Sequence, residues 1–73
     1  MIKNEEIARQ ISDLMLECGR RIEASVAMVQ EQCDAEDFQR YRRAAGGVLG
    51  ALYLDVMQPL YGEHPGIKPA GLD

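Results

Sequence analysis

The stretch Ala44-Ala45-Gly46-Gly47-Val48-Leu49-Gly50-Ala51-Leu52-Tyr53-Leu54 carries no charge, in a chain where 27% of residues do. It is about half as long as the roughly 20 apolar residues that cross a hydrocarbon core as a helix, so it predicts a buried segment of a soluble protein. A helix apolar around most of its circumference must be covered on more than one side. A single partner helix cannot do that, which points to an assembly larger than one hairpin.

Before this stretch the apolar positions repeat. Ile7, Cys18 and Val29 are eleven residues apart, as are Ile11, Ile22 and Cys33, and Met15 and Val26 take the same step. Eleven residues over three turns is close to the pitch of a straight α-helix and unlike the heptad of a left-handed coiled coil. The spacing predicts one rod over about 4–32, about 43 Å long. Asn4 is suited to cap it, with Glu5 and Glu6 at the positive end of the helix dipole. Glu5 and Arg9, Arg9 and Asp13, and Glu17 and Arg21 are spaced to pair on its polar side. Gly19 is its weak point, at a cost of about 1 kcal/mol relative to Ala.

The rhythm breaks at Cys33-Asp34, where Asp34 can cap a second helix over about 35–58. So short a link makes the two helices antiparallel neighbours. With the turn at 33/34, residues at equal height have numbers adding to about 67. Leu49 then falls opposite Cys18, Leu52 opposite Met15, Val56 opposite Ile11 and Leu60 opposite Ile7. Tyr53, Asp55 and Met57 fall off this seam and are expected at a second interface or groove. Pro59 should stop the helix at Gln58 or kink it toward Gly62. The glycines and prolines beyond read as an extended tail over about 62–73, with Tyr61 and Ile67 as its anchors and His64 in solvent.

Seventy-three residues are one domain that struggles to bury enough surface alone. Two cysteines are too few for a disulfide framework and have no zinc-site spacing, so Cys18 and Cys33 read as buried, inert, reduced thiols. The opening residues turn acidic where a secretory signal would turn apolar, which predicts a cytoplasmic protein. A net charge of −4 argues against nucleic acid and anionic membrane as partners.

The fold expected is all-α: an antiparallel two-helix hairpin with an extended C-terminal tail, dimerising into a four-helix bundle. Gly46, Gly47 and Gly50 form a small-residue stripe that lets another backbone approach. Together with Tyr53 and Met57 they are the candidate interface. A phosphate-cradling loop would need a preceding strand and a following lysine, and this chain has neither at that place. Arg20, Arg21, Arg40, Arg42 and Arg43 gather near the turn half of the hairpin, either as a solvated face balanced by acids or as a site for an anion or a partner carboxylate.

The segment Ile7-Ala8-Arg9-Gln10-Ile11-Ser12-Asp13-Leu14-Met15-Leu16, followed by Arg20-Arg21, resembles the first helix of the all-helical chorismate mutases over about a third of the chain. That resemblance implies a long arginine-bearing helix in an intertwined dimer. The family's activity also requires a third helix and a downstream lysine, and this chain has no lysine between Arg9 and Lys68, so the activity does not carry over. No cofactor or metal is expected. The function these features suggest is a homodimeric protein–protein interaction module, an adaptor or regulator. The alternative is a small-molecule or anion site between helices of the dimer, an enzymatic one included.

Overall fold

The computed structural model describes residues 1–72, which are all-helical. Helix α1 spans Glu5–Gln32 and α2 spans Ala35–Ala51, and the two pack as an antiparallel hairpin. Both caps form as the sequence indicates: the Asn4 side chain accepts from the Ile7 N–H at 3.1 Å, and Asp34 accepts from the Asp37 N–H at 2.8 Å. Each satisfies one of the free donors of a first turn.

The second rod does not stop at Gln58 but runs on past Pro59 to Glu63, about as far as the kinked alternative allowed. It widens first, into a π-helical stretch over Leu52–Met57, and continues as α3, Gln58–Glu63. The Gln58 N–H bonds back five residues to the Tyr53 carbonyl, so the turn before the proline is one residue looser than an α-helical turn. One extra residue rotates everything after it relative to the expected seam. Met57, expected off the seam, is therefore 4% exposed and part of the core, whereas Val56, expected in it, is only half-buried.

The tail is shorter and more ordered than an extended segment over 62–73. Helix α3 takes its first residues, and Pro65–Ile67 form one 3-10 turn. Tyr61 and Ile67 do anchor it, joining Ala8, Met57 and Leu60 in the core, with Ile2, Met15, Leu52 and Leu72 packed around them. His64 does not sit free in solvent: its Nε2–H donates to the Ile2 carbonyl at 2.7 Å, while the Met1 ammonium pairs with Glu63 at 3.1 Å. Ile2 takes a φ of +48°, unusual for a β-branched residue, to present that carbonyl.

All of this core lies at the end of the hairpin that holds the termini. Between Glu17 and Gly50 a single residue, Ala45, is buried. The molecule is correspondingly long, 44 × 19 × 16 Å, with a radius of gyration of 14.5 Å. A compact chain of this length would have about 11 Å. Its accessible surface is 5228 Å², against about 4,500 Å² for a typical monomer of its mass. Among the described residues no helix is long and apolar enough to cross a membrane.

Candidate functional site

Two hydroxyl pairs cross the hairpin. Ser12 Oγ and Tyr61 Oη lie 2.5 Å apart at the terminal end, and Ser25 Oγ and Tyr41 Oη lie 2.6 Å apart near the turn. At 100° per residue these pairs fall on opposite flanks of the two-helix layer. Along the Ser12 flank runs a groove made of two adjoining depressions. The one nearer the turn, of about 560 Å³, is lined by Glu23, Val26, Gln39, Arg42, Arg43, Gly46 and Leu49. The next, of about 320 Å³, runs from Glu23 and Leu49 past Leu16, Gly19 and Tyr53 to Leu72 of the tail. Both are open to solvent.

The arginines expected together are thus divided. Arg42 and Arg43 line the first depression and Arg20 the second, while Arg21 and Arg40 line neither. Arg20 pairs with Glu17 at 2.6 Å and Arg40 with Glu36 at 2.9 Å, each an exposed pair within one helix. The spacing that suggested Glu5–Arg9, Arg9–Asp13 and Glu17–Arg21 gives none of those three pairs; Glu17 takes Arg20 instead of Arg21, since exposed partners differ too little in energy for spacing alone to choose between them. Glu23 and Arg42 share the first depression without an ion pair between them.

Within the protomer nothing approaches the glycine stripe. A Cβ added at Gly46, Gly47 or Gly50 would meet no atom within 4 Å. The glycine that α2 does meet is Gly19, where Leu49 Cδ2 would lie 3.9 Å from such a Cβ. Cys18 is half-buried and Cys33 exposed at the turn, so neither is the fully buried thiol expected; the two-helix layer is too thin there to cover them. Among the described residues no three His, Cys, Asp or Glu side chains gather as metal ligands would.

On the opposite flank the apolar residues are uncovered. Ile7, Leu14 and Met28 on α1 are separated by multiples of seven, as are Tyr41 and Val48 on α2, so each set shares a face. Their exposures run from 38% at Tyr41 to 54% at Val48. Ser12, 2% exposed, is a buried polar residue that periodicity does not single out. Its one signal is that it follows Ala8 by four residues, extending a small-residue edge beside Ile11 and Met15. Comparison with protein families, with characterised proteins and with solved structures finds no significant match for this chain.

Proposed function

We propose that the protein is a cytoplasmic homodimeric interaction module, in which two hairpins complete each other's turn halves as a four-helix bundle and the dimer then binds another protein. The observation that carries this reading is the lone buried residue, Ala45, between Glu17 and Gly50. Two helices in contact along one seam leave apolar side chains on both flanks, and ordering each backbone residue costs about 1–2 kcal/mol. A second copy supplies the missing cover with the commonest closed symmetry. The groove flank, with Gly46 and Tyr53 among its lining residues, is where that copy approaches. Met57, 4% exposed, lines the second depression but has little surface left to offer the partner. The opposite flank, with Leu14, Met28, Tyr41 and Val48 exposed, is left for the other protein. Light scattering at tens of micromolar tests the first step. Twice the 8.1 kDa chain mass supports it, and the single mass with a cooperative, concentration-independent melt rejects it.

A further inference from the structure

We infer that the second copy packs groove flank to groove flank about a two-fold axis parallel to the hairpin, so that Glu23 of each chain faces Arg42 of the other. This rests on the dimer proposed above and adds its face, its orientation and its pairing. Glu23 and Arg42 are both exposed, both line the depression nearer the turn, and neither has an ion-pair partner among the described residues. The contacts between Gly19 and Leu49 and between Ser25 and Tyr41 set residues of equal height in this half at numbers adding to 66 to 68. Glu23 is therefore level with about Ala44, and Arg42 lies two residues closer to the turn, about 3 Å along the axis.

A two-fold axis parallel to the helices keeps every height and lays α1 of one copy over α2 of the other. Each Glu23 then meets an Arg42, twice, with the equally unpaired Arg43 alongside, over a floor of Val26, Gly46 and Leu49. A two-fold across the helices, with the copies overlapping over the same stretch, lays α1 on α1 and α2 on α2. Centred at the height of these residues, it brings Arg42 toward Arg42 and Glu23 toward Glu23; centred elsewhere, it pairs neither Glu23 nor Arg42 with the other. Like charges facing each other across an interface are strongly unfavourable, so the charges select the first arrangement. At an isologous interface a single unlike pair is automatically doubled.

The test uses three full-length variants, with circular dichroism to confirm that each is folded. Glu23→Arg alone and Arg42→Glu alone each put two like-charge pairs at the interface, and each should weaken the dimer by about tenfold or more. Mixed in equal amounts, these two variants should form a heterodimer close to wild-type affinity, because both of its pairs are again unlike. The chain carrying both changes should dimerise like the wild type. Rescue in the mixture cannot come from a contact within one chain. A wild-type dimer whose single variants dimerise unchanged, or whose variants fail to rescue each other, overturns this pairing and leaves the dimer standing. A wild-type monomer removes the dimer and this pairing with it.

Discussion

Ser12 Oγ and Tyr61 Oη, 49 residues apart in sequence, meet at 2.5 Å inside the protein, with Ser12 2% and Tyr61 6% exposed. Their bond fastens α3 to α1 at the end where the core is densest. Ser12→Ala leaves a buried phenol hydroxyl unpaired and should cost about 1–3 kcal/mol. Tyr61→Phe should cost about 1 kcal/mol, because the serine hydroxyl can turn to a carbonyl of its own helix. The double variant should cost less than the sum of the two. Tyr41→Phe breaks the matching bond near the turn, where Tyr41 is exposed, and should stay within about 0.5 kcal/mol of the wild type. Urea melts of the four variants check all of this.

The π-helical stretch acts as a one-residue insertion, so removing one residue from it should restore a regular helix without turning the core residues away. Leu54, 56% exposed, is the residue to delete. Because a regular turn crowds the proline ring, the deletion belongs in a Pro59→Ala background. That variant should still melt cooperatively. Deleting the equally exposed Leu14 from α1 turns Ala8 and Ser12 by about 100° relative to the rest of the rod and should abolish the transition. Equal behaviour of the two deletions would show that the widening is not an inserted residue.

Much of this fold was legible in the sequence, and the point where legibility ends is specific. Asn4 and Asp34 announced both caps, and the register holds to within one residue, Leu49 meeting Gly19 beside the expected Cys18 and Tyr41 meeting Ser25 beside the expected Val26. Past Leu52 it fails, since a π turn has no composition of its own and Pro59 can be read equally as a stop or a kink. The displacement of Met57 from the expected seam into the core follows from that one extra residue. Tyr61 and Ile67 were legible as anchors because they are the bulky residues in a segment rich in glycine and proline. The arginine cluster was only half legible: periodicity fixes the face of a side chain on its own helix, while pairing depends on weak contacts that spacing does not decide.

Ile67 is 8% exposed and holds the tail against the core. Ile67→Ala should destabilise the protein by about 2–4 kcal/mol, and deletion of residues 65–73 should also expose apolar surface to the dye ANS. A truncated chain that melts like the full one, with no added dye binding, would place the tail outside the cooperative unit.

With no atom within 4 Å of an added Cβ, alanine at Gly46, Gly47 or Gly50 removes only the helix penalty of glycine. Each such change should stabilise the isolated protomer by about 1 kcal/mol. Leucine at Gly46 or Gly50 should leave the protomer helical and weaken the dimer, as read by circular dichroism and sedimentation at the same concentrations. Leucine variants that dimerise as tightly as the wild type would move the interface off this flank.

In the proposed dimer, the half of the hairpin near the turn depends on a second copy while the terminal half does not. Amide hydrogen exchange, read residue by residue at protein concentrations below and above the dimer transition, measures this most directly. Protection over residues 20–32 and 36–50 should rise as the dimer forms, while the amides of Ala8, Leu60 and Tyr61 change little. Equal protection of the turn half at every concentration would contradict this.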